Sequence, residues 1–248
     1  MTRQRLDLAL VRSGLARSRS HAAELVAAGR VHVDGTTATK AAVAVGPEQQ
    51  LDIAEGPDHV SRAGRKLAGA LDALERLEVA DRVVLDAGAS TGGFTQELVR
   101  RGAELVHAVD VGHDQLAVEL RDHPRVRARE GINVRYLERG DLDPAPGLVV
   151  ADLSFISLRL VLAPLAAVAL PGSDMLLLIK PQFEVGRERL GSGGVVRDVQ
   201  DRRSAVDDVL AAAEQLDWTL LDVRESVLPG PSGNVEYFAW WRTPQEAS

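Results

Sequence analysis

Near the start of the chain, apolar residues recur at helical spacing twice. Leu6, Leu10 and Val11 fall within residues 3–12, and Ala22, Leu25 and Val26 within 18–28. Each set makes the single stripe that a short helix buries against a neighbour. Ser18 or Ser20 can cap the second helix and Gly29 can end it, after which VHVDGTTA reads as a strand entering an Asp-Gly turn. The polar stretch 47–57, with Gly and Pro at both ends, reads as a linker. SRAGRKLAGALDALERLEV then predicts a helix with Leu67, Leu71, Leu74 and Leu77 buried and Lys66 near its beginning. From residue 82, short apolar strands alternate with helical segments: RVVLDA, GFTQELVRRG, ELVHAVDVG, DQLAVELR, VRARE, LVVADLS, LRLVLAPLAAVA, DMLLLIK, a long helix over 199–216, WTLLDVRESV and EYFAWWR. This alternation predicts an α/β, Rossmann-like domain with a mostly parallel sheet covered on both faces. A small α+β domain precedes it, so the expected division is 1–58 and 59–248.

Charge sharpens the division. The whole chain carries a net charge of -7, yet residues 1–50 hold seven basic and four acidic side chains. A small basic module is joined to an acidic one, a distribution that suits a polyanionic partner for the first. No apolar run reaches the roughly 18 residues of a membrane span, and MTRQRLDLALVRSG lacks the uninterrupted apolar core of a secretory signal. The cytoplasm is the expected compartment. With no cysteine, disulfide partners, thiolate metal sites and cysteine nucleophiles are excluded, and no metal is expected. The chain has 26 arginines but only three lysines, Lys40, Lys66 and Lys180. Each lysine is a candidate for a task arginine cannot perform, since only lysine can give up its proton within a protein.

VVLDAGASTGGF is a buried strand that ends at Asp86 and opens through Gly88, Gly92 and Gly93 into a helix, and Asp110 ends the next strand 24 residues after Asp86. Glycines there let a ligand approach the backbone beside a helix N-terminus, and an acid at the second strand end can accept hydrogen bonds from both hydroxyls of a ribose. The glycine spacing fits a dinucleotide dehydrogenase poorly. Gly88-Ala89-Ser90-Thr91-Gly92 matches a hydrolase nucleophile elbow, but the six histidines stop at His123, so the usual order of a triad cannot be completed. S-adenosylmethionine, with its methionine part over the glycine loop and its ribose on Asp110, fits strand, glycines and acid together.

Three further polar groups interrupt apolar sequence: Asp152 in VVADLSFISL, Lys180 in LLLIKPQFE and Glu236 in SGNVEYFAW. Asp152 and Lys180 follow apolar strands, at the edge where open parallel sheets bind ligands. Charges placed there need partners, which leaves a structural ion pair or an active site. Methylation of a ribose 2'-hydroxyl explains the collection, because the hydroxyl must be oriented in line and its tightly held proton removed.

DAGASTGGF closely resembles the D-x-G-x-S-x-G-G-F signature of the FtsJ-like ribose methyltransferases. That resemblance implies that Asp86, Gly88, Ser90, Thr91, Gly92, Gly93 and Phe94 surround the methionine end, and it implies Asn133 and Asp152 as further cofactor contacts. Lys66, Asp152, Lys180 and Glu236 match, in order, the Lys-Asp-Lys-Glu tetrad of those enzymes, with Lys180 as base. The N-terminal pattern RLDLALVRSGLARSRSHAAELVAAGRVHVDG resembles the alpha-L RNA-binding motif of ribosomal protein S-four, implying phosphate contacts by Arg5, Arg17, Ser18, Arg19 and Arg30. Taken with SRAGRKL, DLSFISL, KPQFEVGR and GNVEYF, the whole chain is similar to the TlyA family. Membership implies a monomeric 2'-O-methyltransferase acting on cytidine in ribosomal RNA within ribosomal subunits. Arg62, Arg65 and Arg187, with Arg189 and Arg197, are expected to offset the acidity of the second domain near the site, and ERLGSGGVVRD is expected to form a flexible loop there. Two rivals are a non-catalytic ribosome-binding or assembly factor and a membrane-lytic protein, since members of the family carry the label haemolysin. A complete tetrad counts against the first, and the lack of a membrane-active helix against the second.

Overall fold

A computed structural model describes residues 3–27, 29–53, 59–191 and 193–245, with Arg187 described in its backbone alone. The chain divides into two compact units, Met1–Asp58 and His59–Ser248.

The first unit is built from β1 (Gln4–Arg5), α1 (Leu6–Arg12), α2 (Arg19–Ala27), β2 (Val31–Val33), β3 (Thr36–Thr37), β4 (Ala44–Val45) and β5 (Leu51–Ile53). Leu6 and Leu10 of α1 meet Ala22, Leu25 and Val26 of α2 in one small core with Val31 and Val45. Ser18 caps α2, its hydroxyl accepting the His21 N–H at 3.1 Å, and the Asp34-Gly35 turn takes positive φ at both residues, as a tight hairpin turn requires. Residues 51–53 do not belong to a linker: β5 pairs antiparallel with β2, Val31 facing Ile53. Leu51-Asp52-Ile53 alternates, but three residues are too short a run to be read as a strand.

The second unit contains α3 (Arg62–Ala73), β6 (Val83–Ala87), α4 (Gly93–Arg100), β7 (Leu105–Val109), α5 (Val118–Arg121), β8 (Val126–Arg129), β9 (Leu148–Ala151), α6 (Leu162–Val168), β10 (Asp174–Ile179), α7 (Pro181–Glu184), α8 (Val199–Glu214), β11 (Thr219–Glu225) and β12 (Tyr237–Arg242). Its seven strands are ordered β11-β12-β10-β9-β6-β7-β8. The ladders from β10 to β8 are parallel, and β12 enters antiparallel to both β10 and β11. Successive strand residues point to opposite faces, so Val84, Leu176 and Trp240 join α3 and α4 in one core, while Leu85, Leu177 and Trp241 join α6 and α8 in another. The N-terminal edge of the sheet is held by Asp174, a buried carboxylate that accepts from the Trp240 indole N–H at 2.9 Å and pairs with Arg82 and Arg242, both at 2.8 Å. Two expected helices are shorter than their apolar spacing suggests. α3 ends at Ala73, with Leu74 and Leu77 buried in the coil beyond it, and only residues 118–121 of DQLAVELR are helical.

Candidate active site

Sheet register gathers the polar groups. Ala87 is paired with Ala151, Ala151 with Leu177, and Ile179 with Tyr237. The next residue outward on each strand is therefore Gly88, Asp152, Lys180 or Glu236. Because β12 runs antiparallel, it delivers Glu236 from its N-terminal end to the edge where β6, β9 and β10 deliver their C-terminal ends. Lys66 comes from the first turn of α3.

The four charges form two pairs. Lys180 Nζ lies 2.7 Å from Asp152 Oδ1 and donates to Ser154 Oγ at 2.8 Å. Lys66 Nζ lies 2.5 Å from Glu236 Oε2. Gln182, two residues after Lys180, donates from Nε2 to Glu236 Oε1 at 3.3 Å and so bridges toward the second pair. Lys66, Lys180 and Glu236 are buried, where an ion missing its partner would be costly. Pro181 at the first position of α7 lacks the N–H that would have no helical partner there, so the chain turns from strand to helix directly after Lys180.

Beside Asp152 opens a cavity of about 730 Å³ whose wall includes Gly88, Ser90, Asp110, Asn133, Asp152 and Phe155. Gly88 has φ +86, and a Cβ on it would stand 2.9 Å from the Asp152 carbonyl oxygen; both the turn and the close approach require glycine. Asp110 accepts the Ser90 N–H at 2.8 Å and the Gly112 N–H at 2.7 Å, which fixes its carboxylate at the rim. Asn133 caps a short 3-10 turn by accepting the Arg135 N–H at 3.0 Å. Below the loop, Asp86 is fully buried. Burial pushes its carboxyl up to about 7, against the Thr95 hydroxyl hydrogen bond, and the charges of Asp152 and Asp110 push it further. Its Oδ1 has no hydrogen-bond partner among the described residues. Two carboxylates, Asp110 and Asp152, on one concave wall suit a cationic ligand such as a sulfonium, so the residues present fit S-adenosylmethionine.

The other expected cofactor residues lie away from this wall. Gly92 packs on Leu116 and Leu120, Gly93 lies against Ser61 and Gly64 at the crossing of α3 and α4, and Phe94 stacks on Phe238 at 6.0 Å in the core. Thr91 is exposed, and its carbonyl accepts the Ala117 N–H at 3.3 Å. Of the expected RNA contacts in the first unit, Arg5 and Arg19 pair with Asp7, Arg17 is exposed and Arg30 half-buried. In the second unit, Arg62 donates to the Pro229 carbonyl at 2.9 Å and Arg65 is half-buried, while the side chain of Arg187 lies outside the described residues.

Sequence reasoning passed over four residues. Ser154 and Gln182 hold the charged pairs. Glu184, buried and with its carboxyl pushed up by that burial, accepts from the Ser157 hydroxyl and the Leu158 N–H and so ties the 152–160 loop to α7. Asn234, also buried, accepts the Val196 N–H at 2.9 Å and donates to the Gly194 carbonyl at 3.0 Å, anchoring one side of the glycine-rich 188–198 segment. Each lies within two or four residues of a tetrad member, in DLSFIS, KPQFE or SGNVE, and that adjacency was the available signal.

Comparison with known proteins bears on the family and the fold. Residues 59–243 match the model of the FtsJ-like methyltransferase family and residues 4–51 that of the S4 domain. The 16S/23S rRNA (cytidine-2'-O)-methyltransferase TlyA of Mycobacterium tuberculosis is 51% identical over 97% of this chain and 90% of its own length. A solved structure from Streptococcus thermophilus, provisionally named a hemolysin, is 37% identical, covers 99% of this chain and 90% of its own, and superposes with a TM-score of 0.76. An S-adenosylmethionine-dependent methyltransferase from Mesorhizobium loti shares the fold at 14% identity, with a TM-score of 0.55 over 73% of this chain and 99% of its own. The chain therefore belongs to the TlyA family of FtsJ-like methyltransferases, with an S4 domain ahead of the methyltransferase domain.

Proposed function

We propose that this chain transfers a methyl group from S-adenosylmethionine to the ribose 2'-hydroxyl of a cytidine in ribosomal RNA, with Lys180 as base. The observation that carries this reading is the Lys180 amine, 2.7 Å from Asp152, which itself lines the cavity beside Gly88. S-adenosylmethionine, held by Gly88, Ser90, Asp110 and Asn133, supplies an electrophilic methyl carbon on a good leaving group.

What remains for the protein is orientation and proton removal. Lys180 Nζ, as a neutral amine, would take the hydroxyl proton while the carbon–sulfur bond of the donor breaks and the neutral thioether departs, and Asp152 would balance the charge of the resulting ammonium. Lys180 Nζ donates to Ser154 Oγ and lies 2.7 Å from Asp152 Oδ1, and an ammonium there keeps donor capacity for the ribose oxygen. The Lys66–Glu236 pair, joined to the neighbourhood of Lys180 through Gln182, supports the far side of the substrate seat. The first unit docks on structured RNA through Arg5, Arg17, Ser18, Arg19 and Arg30, and Arg62, Arg65 and Arg187 are the RNA contacts of the second unit.

Purified protein should transfer labelled methyl groups to unmodified ribosomal subunits, with the label resisting alkali as a 2'-O-methyl group does. Lys180→Ala should lower the rate by about two to four orders of magnitude, the share a general base contributes, in protein that still folds. Lys180→Arg should be equally inactive, because a guanidinium keeps its proton. Either variant at near-parental rate would remove Lys180 from the role of base.

A further inference from the structure

We propose that buried Asp7 is a brace that holds Arg5 and Arg19 together as a two-guanidinium seat for one phosphate of an RNA backbone; this rests on the reading that the first unit docks on RNA. Asp7 is only 4% exposed, whereas the arginine side chains it holds are 52% and 60% exposed. Arg5 meets it with a fork, Nε donating to Oδ1 at 3.1 Å and Nη2 to Oδ2 at 2.8 Å. Arg19, the first residue of α2, donates from Nη2 to the same Oδ2 at 3.1 Å, and the Leu8 N–H fills Oδ1 at 2.8 Å. The hydrogen bond from Arg5 holds the Asp7 carboxyl well below the usual carboxylate range, so the brace is charged at neutral pH.

Two arginines from separate helix starts would otherwise repel one another and wave freely. Each would then lose its rotamer freedom on meeting a phosphate, at a cost to affinity. Here that ordering is already present in the free protein. Among the described residues, Arg5 Nη1 and Arg19 Nε and Nη1 have no hydrogen-bond partner, so donors remain for a phosphate, which guanidinium groups bind in planar, forked geometry.

Binding of the full-length protein to unmodified ribosomal subunits, measured at two salt concentrations, decides the matter because two effects predict opposite signs. Asp7→Asn removes one negative charge beside a polyanion, so charge alone predicts tighter binding; loss of the brace predicts binding weaker by roughly tenfold, the ordering cost of two side chains. The brace further requires that Asp7→Asn no longer weaken binding once Arg5 and Arg19 are both alanine. If Asp7→Asn binds as tightly as the parent or tighter while the double-arginine variant binds weakly, the brace is wrong and RNA docking stands. If the double-arginine variant binds as the parent does, docking through this face is wrong. Should Asp7→Asn melt the first unit, Arg5→Lys and Arg19→Lys replace it: each keeps the charge and loses the fork, so weakened binding supports the brace and unchanged binding overturns it.

Discussion

At the scale of single residues, Asp86 carries the clearest pH signature. Its folded carboxyl is raised from 3.8 to about 7, chiefly by burial, so between those values the folded chain holds a proton that the unfolded chain has released. Stability contributed by the protonated form is complete below the unfolded value and is lost as pH rises toward 7. Asp86→Asn keeps the shape without the charge. The stability of the parent relative to this variant should fall between pH 4 and pH 7 by up to about 4 kcal/mol, at roughly 1.4 kcal/mol per pKa unit, as read from urea midpoints in cofactor-free protein. A flat difference across that range would mean that Asp86 is ionised throughout. Residue identity at the site was legible because Lys66, Asp152, Lys180 and Glu236 each break an apolar or motif-bearing run. Pairing was not legible: that Lys66 meets Glu236 and Lys180 meets Asp152 follows from strand register and from the side chains of Ser154 and Gln182, short polar groups in loops that carry no periodicity.

Among the elements, the crossing of α3 and α4 is set by glycine on both sides. A Cβ on Gly93 would collide with Ser61 Oγ and stand 2.7 Å from the Gly64 amide, while one on Gly64 would lie 2.8 Å from the Gly93 carbonyl oxygen. Gly93→Ala should therefore cost about 1–3 kcal/mol, the usual penalty for overpacking, seen as a lower urea midpoint at unchanged slope. Because α3 also carries Lys66, the same change should lower the methyl-transfer rate; unaltered stability would show that the helices can part at no cost. The family resemblance implies a cofactor contact for this glycine, and the loop signature alone does not distinguish a glycine that would admit a ligand, the role proposed for Gly88, from one that admits a helix. Strands with strong apolar runs were legible, β6 and β10 to within one residue and β9 with an overshoot of three at its C-terminal end. Strand direction was not, and β12 reads the same in either sense because its alternation of inward faces is symmetric.

For the whole molecule, the separation of charge, with seven basic residues and four acidic in the first 50 and a net of -7 overall, predicts binding to ribosomal subunits that is steeply sensitive to salt. Each phosphate neutralised contributes a slope of about -0.7 to -0.9 in log affinity against log salt. Replacing Arg17 or Arg30 by alanine should reduce that slope by about one, and Arg62→Glu should weaken RNA binding while cofactor affinity is retained. A slope near zero would place recognition outside these cations.

The antiparallel entry of β12 between β10 and β11 has a consequence for how the enzyme comes into being. Glu236 reaches Lys66, 170 positions earlier, only when a segment close to the C-terminus has threaded between two strands and paired with both. A chain in which β12 has not yet paired can close its glycine loop and hold Lys180 against Asp152 while still lacking the Lys66–Glu236 half of its charged quartet, so completion of the charged edge waits on that insertion.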